Sequence, residues 1–532
     1  MRAVTAAEMR QIEDEAVRRG SSVEQLMDRA GRAVAARVAD ALDGRIVGRR
    51  ILVLAGPGRN GGDGLIAARL LRQRGAHVTI ACPTPRSSDD ALLSACAGAG
   101  CEIIDDPAEG RAADLSAAIA AADVIIDALL GTGRSRAIDG PMRDVLDMVR
   151  QAASARRRPR VLAIDLPSGL NADDGRADPA TQPADITIAL GCVKRGSLTG
   201  DGPEYCGAIH VADIGLGEYA TDVGGIPILN VADIGRLLPK RPLTGHKGTF
   251  GHVVVTGGAS AYRGAPALAA RAAGRAGAGT VTVAAPDILT DSIAAICPEA
   301  THIPLAHDTE SGLAAQRALS QLAEAFELRP PDALAIGPGL GRSPGAAAFV
   351  AGLLQDGPND IPMALDADAL TLMSAIDGWQ DRLKGATVLS PHPGEMARLC
   401  DVSAAEIQTA RVEIATARAR EWDATIVLKG AYTVIASPDE PPSICPLALP
   451  ALASGGAGDA LTGIIAAFLA QGLPPHNAAQ AAVYAHGAAA ALAAQDNGNL
   501  TSGLLASDLI EKIPAAMDVI RRGGPPPAPL FV

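Results

Sequence analysis

Short apolar runs alternate with alanine-rich segments of helical spacing along most of the chain. Apolar positions recur at helical spacing in the first forty residues, and Thr5 with Glu8 three residues later forms a capping box at their start. Five apolar runs follow in the first half, at residues 51–55, 77–81, 124–127, 161–165 and 185–190. Strands that alternate with helices predict a parallel sheet with helices on both faces.

A second series of apolar runs lies at residues 252–256, 280–284, 333–336, 363–366, 387–390 and 425–429. Between the two series, from Asp213 to about Lys247, glycine and proline interrupt the pattern, which is typical of a domain boundary. We therefore predict an α/β protein with two domains, each a sheet between two helical layers. The predicted ranges are a Rossmann-like domain at 1–215, a linker at 216–239, a larger domain at 240–515 and a tail at 516–532.

The composition indicates which kinds of molecule the protein binds. The 47 Lys and Arg are outnumbered by 59 Asp and Glu, and aromatic residues make up 2% of the chain, so we expect no nucleic-acid partner. The apolar runs are too short for a membrane span, and acidic residues near the N-terminus argue against export. Eight cysteines without a CxxC pair are typical of buried side chains in a reducing cytoplasm. We expect a cytoplasmic protein that binds small molecules.

Three polar loops follow predicted strands in the first half. The first, GPGRNGGDG at 56–64, precedes a predicted helix at 65–74, and its glycines with a helix N-terminus suit an anion. The others are DALLGTGRSRA at 127–137 and DLPSGLN at 165–171. Because strand ends of a parallel sheet meet at its carboxyl edge, we expect Asp127 and Asp165 to lie across one crevice, although either could instead cap a helix.

These motifs, with Lys194-Arg195-Gly196 after a further strand, resemble the YjeF N-terminal domain, the NAD(P)H-hydrate epimerase family, over about residues 5–215. The resemblance implies that Asp165 touches the reacting ring as a catalytic residue. It implies a potassium ion held by Asn60, Asp127 and Ser168. The substrate-binding residues that it implies are Arg59, Asn60, Gly61, Gly62, Asp63, Gly131, Thr132, Gly133, Arg134, Ser135, Arg136, Ala137, Asp165 and Lys194.

Two arginines depart from the usual pattern of this family. Arg29 and Arg59 each stand where the family usually has asparagine, so a donor-only cation replaces a small amide. The replacement leaves open a second interpretation, in which the first domain binds ligand without catalysis.

In the second half, one acid stands at the start of a predicted helix. SGGAGDALTGI at 454–464 places Asp459 in the first turn, beside backbone N–H groups that suit an anion. Asp459 could therefore take a proton from a substrate hydroxyl, or could merely be a favourable charge at the helix N-terminus. SPHPGE at 390–395 places an imidazole and a carboxyl group after another strand.

These segments resemble the YjeF C-terminal domain. The resemblance extends to HKGTFGHVVVTGG, AIGPGLG, LDADAL and VLKGAYT, and the motifs occur in order across about residues 240–515. That family is the ADP- or ATP-dependent NAD(P)H-hydrate dehydratase, a relative of ribokinase-like enzymes, which implies a ribokinase-like fold and magnesium with the nucleotide. The hydrate-binding residues implied are Ala265, Gly339, His392 and Asp459. The nucleotide-binding residues implied are Lys429, Gly430, Ala431, Tyr432, Thr433 and Gly458.

The two resemblances together predict a bifunctional NAD(P)H-hydrate repair enzyme. It would interconvert the R and S hydrates of NADH and NADPH and would dehydrate the S hydrate with ADP or ATP. The family also implies an oligomer of identical chains. One residue keeps an alternative open: Ala457 stands where the dehydratase family usually has threonine, and GAGD is common in ribokinase-like kinases. The alternative is a small-metabolite kinase with a non-catalytic N-terminal binding module.

Overall fold

The computed structural model describes residues 1–87, 89–105, 111–133, 137–153, 158–308, 312–383 and 386–524. The chain divides into two compact units, of which the first is Met1–Ile226 and the second begins at Pro227. This boundary lies inside the predicted linker. Among the helices of the described residues, none is long and apolar enough to cross a bilayer.

The first unit is built around a seven-stranded sheet. The strands of this unit are β1 (Arg2–Val4), β2 (Arg50–Ala55), β3 (His77–Cys82), β4 (Glu102–Asp105), β5 (Val124–Ala128), β6 (Arg160–Ile164), β7 (Ile186–Leu190), β8 (Val193–Lys194) and β9 (Ala208–Ala212). Of these, β1 and β8 pair with each other outside the seven-stranded sheet. Its helices are α1 (Ala6–Arg18), α2 (Val23–Ala41), α3 (Arg59–Gln73), α4 (Ala91–Gly98), α5 (Ala112–Ala121), α6 (Gly140–Ala153), α7 (Gly202–Tyr205) and α8 (Gly217–Val223), with a 3-10 turn at Arg195–Ser197.

The strand order of this sheet is β4-β3-β2-β5-β6-β7-β9, and every pair is parallel. Alternate residues of the central strands pack into two separate apolar clusters, one on each face, as Val53 and Leu52 of β2 do. The predicted three-layer α/β architecture is confirmed for this unit, because helices must cover both apolar faces.

The N-terminus of α3 differs from the prediction. We expected residues 59–64 to form a loop before a helix at 65–74, whereas the helix begins at Arg59 with Gly58 as its N-cap. A Cβ at Gly61 would lie 2.0 Å from the carbonyl oxygen of Gly56, and one at Gly64 would lie 2.7 Å from the Cβ of Ala128. These glycines therefore serve close packing of a helix start rather than loop flexibility.

The second unit contains a nine-stranded sheet. After β10 (Ile226–Pro227) at the boundary, the strands of this unit are β11 (His252–Thr256), β12 (Thr280–Pro286), β13 (Thr301–Leu305), β14 (His307–Asp308), β15 (Gly312–Leu313), β16 (Ala333–Ile336), β17 (Met363–Leu365), β18 (Thr387–Leu389), β19 (Thr425–Leu428), β20 (Val434–Ala436) and β21 (Ser443–Ile444). Of these, β14 and β15 pair with each other outside the nine-stranded sheet. The sheet order is β13-β12-β11-β16-β17-β18-β19-β20-β21, in which β19, β20 and β21 pair antiparallel.

Helices cover this second sheet. They are α9 (Val231–Leu237), α10 (Ala265–Arg275), α11 (Thr290–Ile296), α12 (Ala315–Leu328), α13 (Pro344–Asp356), α14 (Asp368–Met373), α15 (Pro393–Cys400), α16 (Ala404–Thr409), α17 (Arg411–Glu421), α18 (Ala457–Ala470), α19 (Pro475–Asp496) and α20 (Ala506–Arg521). Short 3-10 turns lie at Lys247–Phe250, Asp287–Leu289, Trp379–Arg382 and Pro450–Leu452.

The predicted linker and tail contain regular structure. The linker range holds α8, β10 and α9. Residues 516–521, which we assigned to the tail, are the last turns of α20, because Met517 and Ile520 are buried in the core of the second unit at helical spacing. The six predicted strands of this unit are confirmed to within two residues at each end.

Candidate active sites

A cavity of about 460 Å³ lies at the carboxyl edge of the first sheet. It is lined by most of the predicted substrate-binding residues, namely Arg59, Asn60, Asp63, Gly131, Thr132, Gly133, Asp165 and Lys194. Gly61 and Gly62 are buried in α3 instead, and Ala137 lines a second cavity that shares the 131–133 segment. Arg134, Ser135 and Arg136 lie outside the described residues.

Asp165 and Lys194 form a buried ion pair at the base of this cavity. Asp165 follows β6 in a left-handed conformation, with φ of 69°, and its Oδ1 accepts a hydrogen bond from the Leu190 N–H at 3.1 Å. The Lys194 side chain is 1% exposed, and its Nζ contacts Asp165 Oδ1 and donates to the carbonyl oxygens of Leu190 and Cys192 at 3.1 Å. Three acceptors around one buried ammonium group hold both charges in a single geometry.

Two further acids border the same cavity. Burial raises the pKa of Asp63 well above its usual value, and the nearby carboxylates of Asp165 and Glu13 add to this effect. Glu13, on α1, forms an ion pair with Arg59, whose Nη1 donates to Glu13 Oε2 at 3.2 Å, and burial raises the pKa of Glu13. Glu13 was not predicted from the sequence, although its position four residues after the buried Met9 places both on one face of the helix.

The three predicted potassium ligands are linked through Leu130. The Ser168 hydroxyl and N–H donate to the two carboxylate oxygens of Asp127 at 2.5 and 2.7 Å. The Leu130 N–H donates to Ser168 Oγ at 2.9 Å, and Asn60 Nδ2 donates to the Leu130 carbonyl oxygen at 3.0 Å. Burial raises the pKa of Asp127.

This oxygen-rich set differs from a transition-metal site. Among the described residues, no group of three or more His, Cys, Asp or Glu side chains could hold a metal ion. Amide, hydroxyl, carboxylate and carbonyl oxygens are ligands that suit a hard cation. The donor chemistry of Asn60, Asp127 and Ser168 therefore fits potassium.

The two unusual arginines have partners. Arg29 Nη1 donates to the Ile214 carbonyl oxygen at 3.2 Å, so it holds backbone beyond β9. Arg59 is paired with Glu13, as described above. Neither guanidinium is a free cation in the cavity.

In the second unit, Asp459 lies in the first turn of α18, whose N-cap Gly456 has φ of 86°. Burial raises the pKa of Asp459 to about 7, with a further contribution from the negative charge of Asp366. A carboxyl group with this pKa can exchange a proton near neutral pH. A Cβ at Gly456 would lie 2.7 Å from Leu268 Cδ1, so the starts of α18 and α10 are close together.

A buried network beside Asp459 was not anticipated from the sequence. Lys429 Nζ donates to Asp366 Oδ1 at 2.5 Å and lies 3.8 Å from Glu395 Oε2, while the Thr462 hydroxyl donates to Asp366 Oδ2 at 2.7 Å. Burial acts to lower the pKa of Lys429, but the carboxylates of Asp366 and Glu395 outweigh it and raise that pKa. Burial raises the pKa of Glu395 to about 7. The signal in the sequence was the position of Asp366, Lys429 and Glu395 just after strands.

His392 is the N-cap of α15. Its Nδ1 accepts hydrogen bonds from the Gly394 and Glu395 N–H groups at 3.0 and 3.3 Å, so the proton of the neutral ring is on Nε2. Burial lowers the pKa of His392. The half-exposed imidazole thus carries its N–H at Nε2, which lies 3.3 Å from Glu395 Oε1.

The other predicted residues of the second unit form two groups. Gly339, with φ of 61°, lies against α10, since a Cβ there would be 2.8 Å from the Ala265 Cβ. Residues 429–433 form the turn between β19 and β20, in which the Thr433 hydroxyl donates to the Gly430 carbonyl oxygen at 3.0 Å.

Two further residues, Gly458 and Arg411, lie against Lys429 and the turn that it begins. Gly458 lies beside the lysine, because a Cβ there would be 3.5 Å from Lys429 Nζ. Arg411, a buried arginine that the sequence analysis did not identify, donates to the Leu428 and Lys429 carbonyl oxygens at 2.9 and 3.2 Å. Burial lowers the pKa of Arg411 to about 10.

Both units match known protein families. The model of the YjeF-related protein N-terminus family matches residues 23–196, and that of the NAD(P)H-hydrate dehydratase family matches residues 253–515. The bifunctional NAD(P)H-hydrate repair enzymes of Moorella thermoacetica and Coxiella burnetii are 39% and 35% identical over 523 and 512 residues. These alignments cover 96% and 94% of this chain and 96% of each relative.

A solved structure also aligns with part of the chain. It is that of an ADP/ATP-dependent NAD(P)H-hydrate dehydratase from Bacillus subtilis, co-crystallized with ATP/Mg2+. It is 31% identical, with a TM-score of 0.47, over 56% of this chain and 99% of that chain. From the two family matches and the nearly full-length relatives, the chain belongs to the family of bifunctional NAD(P)H-hydrate repair enzymes.

Proposed function

We propose that this chain repairs hydrated NADH and NADPH in two steps. The first unit interconverts the R and S hydrates, and the second unit uses ADP or ATP to convert the S hydrate to NAD(P)H. The observation that carries this function is that each unit has its own acid close to a lysine in its site: Asp165 after β6 with the buried Lys194, and Asp459 at the start of α18 near Lys429. The predicted ranges 1–215 and 240–515 are the proposed limits of the two activities.

In the first unit, the hydrate occupies the cavity at the carboxyl edge of the sheet. Asp165 faces the reacting ring, and Lys194 fixes the position of that carboxylate. The segments 59–63 and 131–137, in which Arg59 is paired with Glu13, bind the rest of the substrate.

Potassium fits the oxygen set of the first unit. Asn60, Asp127 and Ser168 are the residues that would hold the ion. When bound, it would supply positive charge close to the substrate phosphates. The chain itself orders this region through the bonds among Asp127, Ser168 and Leu130.

In the second unit, Ala265, Gly339 and His392 bind the hydrate, and ionised Asp459 takes the proton of the ring hydroxyl. The hydroxyl oxygen then attacks the terminal phosphorus of the nucleotide, and the shortened nucleotide leaves. Elimination of phosphate, with loss of the neighbouring ring proton, restores the double bond of NAD(P)H. Residues 429–433 and Gly458 hold the nucleotide, so that the terminal phosphate lies at the start of α18.

Magnesium would bind with the nucleotide at the start of α18, where Gly458 lies beside Lys429 and Asp366. Mg2+ in nucleotide sites usually binds one or two carboxylates together with phosphate oxygens. Asp366 and Glu395 already accept hydrogen bonds from Lys429, Thr462 and the His392 N–H, so the ion would bind chiefly through phosphate oxygens and water. When bound, it would neutralise charge on the transferring phosphoryl group.

The first experiment measures recovery of NADH absorbance from a mixture of R and S hydrates with ADP, with ATP and with neither. Complete recovery that depends on nucleotide is the expected result, because the epimerase converts R hydrate to S hydrate as the latter is consumed. Recovery that stops at the S fraction would contradict the epimerase activity. The absence of recovery with either nucleotide would contradict the dehydratase activity and favour a kinase.

We further propose that the protein works in the cytoplasm as an oligomer of identical chains, as the family resemblance implies. Light scattering of the purified protein tests the second part, since a molar mass near the 53.8 kDa of one chain would contradict it.

A further inference from the structure

Asp63 stands apart from the other acids of the first cavity. It lies in the second turn of α3, it is 7% exposed, and it borders the cavity. Among the residues that the structure describes, none makes a hydrogen bond or an ion pair with its carboxyl group. A polar group that is buried without a partner in the protein has only a ligand or water to satisfy it.

The charges around Asp63 can be matched in pairs. From the sheet side, Lys194 is bound to Asp165. From α1 and the start of α3, Glu13 is bound to Arg59. The remaining charged groups of the lining, Arg10 and Asp14, are exposed on α1 at the rim.

One buried cation, Lys194, and one exposed cation, Arg59, therefore face three acids, and Asp63 is the acid without a cation. An uncompensated buried carboxylate is far more costly than the neutral acid. The arrangement consequently favours Asp63 as a carboxylic acid that still carries its proton, next to Asp165 as a carboxylate in an ion pair.

We propose that Asp63 is the proton donor of the epimerase site and that Asp165 is its basic partner, each facing the substrate from a different element. This inference deepens the proposed function of the first unit and rests on it. It assigns a catalytic role to Asp63, beyond the contact with substrate that the family resemblance implies.

The proposed reaction interconverts the two configurations at carbon 6, which bears the hydroxyl group and the ring nitrogen. Asp63 gives its proton to the hydroxyl oxygen, the carbon–oxygen bond breaks, and water leaves with the bonding electrons. The lone pair of the ring nitrogen forms a carbon–nitrogen double bond. Water then adds to the other face of carbon 6, the electrons return to nitrogen, and Asp165 receives the proton that the water loses. Proton exchange with solvent resets both carboxyl groups.

The test uses the full chain without nucleotide, so that only R and S interconversion is measured, from pH 5 to pH 9, with the spontaneous rate subtracted. We expect Asp63→Asn to lower kcat about 100-fold or more, as loss of a general acid does, with little change in KM. The wild-type rate should fall at high pH as Asp63 loses its proton, and the variant should lack this fall. Unchanged dehydration of S hydrate by the same variant shows that the second unit is intact, and the unchanged KM for interconversion shows that the first unit is folded.

A matched control is Asp28→Asn, a carboxylate on α2 that is paired with Arg32 outside the cavity. It should keep the wild-type kcat and pH profile. A second variant, Glu13→Gln, tests the charge argument even if Asp63→Asn fails to fold. It removes a negative charge near Asp63 and frees Arg59, and both changes favour the ionised form of Asp63. The fall in interconversion rate at high pH should therefore move to lower pH.

The outcomes separate the inference from the proposed function. If the wild-type chain does not accelerate interconversion, the epimerase function itself is wrong. If the wild-type chain is active and Asp63→Asn changes only KM, or keeps the wild-type pH profile, Asp63 is a binding residue and the proton-donor role is wrong. If the fall in rate at high pH stays at the same pH in Glu13→Gln, or moves to higher pH, the proton-donor role is also wrong.

Discussion

The carboxyl group of Asp459 is held at the start of α18, where burial and the charge of Asp366 raise its pKa to about 7. Because only the ionised form can accept a proton, we predict that dehydration of S hydrate speeds up as pH rises through about 7. Below that pH the rate should fall about tenfold per pH unit. Asp459→Asn should lower kcat at least about 100-fold, and the measurement is the rate of NADH formation from pure S hydrate.

The control for this substitution is the other activity of the same chain. Interconversion of R and S hydrates by Asp459→Asn should stay at the wild-type rate. A dehydration rate that is flat from pH 6 to pH 8 in the wild-type chain would contradict the assignment of Asp459 as the base.

At the residue scale, the sequence predicted positions better than partners. Asp127, Asp165 and Asp459 were placed at strand ends or a helix start, and the structure has them there. The pairing of Lys429 with Asp366 was not predicted, because 63 residues separate them and no local pattern joins them. Glu13 was missed for a similar reason, since its place on the buried face of α1 does not show which remote residues lie beside it.

At the element scale, two glycines in neighbouring helices have opposite surroundings. A Cβ at Gly463 of α18 would lie 2.1 Å from the Ala269 carbonyl oxygen of α10, whereas a Cβ at Gly274 of α10 would meet nothing within 4 Å. We predict that Gly463→Ala destabilises the second unit by about 1 to 3 kcal/mol, because the two helices must move apart. Gly274→Ala should stabilise it by about 0.5 to 1 kcal/mol, because alanine is the better helix former.

Tryptophan fluorescence during denaturant unfolding measures this difference. Both tryptophans of the chain, Trp379 and Trp422, lie in the second unit, with ring centroids 4.8 Å apart. Equal shifts in midpoint for the two variants would show that the close contact of α10 with α18 does not limit stability.

The apolar runs predicted the central strands of both sheets, because a buried strand requires side chains that are apolar on both faces. The start of α3 was predicted six residues too late. Glycine usually disfavours a helix, and the close approach of Gly61 to Gly56 that requires it is visible only in the folded unit.

At the scale of the whole molecule, the two activities belong to separate sites. We predict that a mixture of Asp165→Asn and Asp459→Asn chains converts R hydrate to NADH in the presence of nucleotide. One variant supplies S hydrate and the other consumes it, so the intermediate need only diffuse between chains. NADH absorbance with each variant alone and with the mixture is the measurement.

Asp459→Asn alone should form no NADH, and Asp165→Asn alone should form it only at the spontaneous epimerisation rate. If the mixture does no better than Asp165→Asn alone, the two sites are not independent.

The sequence by itself determined the α/β class, the separation into two domains, the strand ends that carry the acids and the family, because these depend on patterns within a few residues or on motifs in order. The tertiary structure alone decided which charges are paired: Lys194 with Asp165, Glu13 with Arg59 and Lys429 with Asp366, while Asp63 has no cation. The energy of a charge depends on burial and on its distance to other charges, and both are set by residues that are remote along the chain.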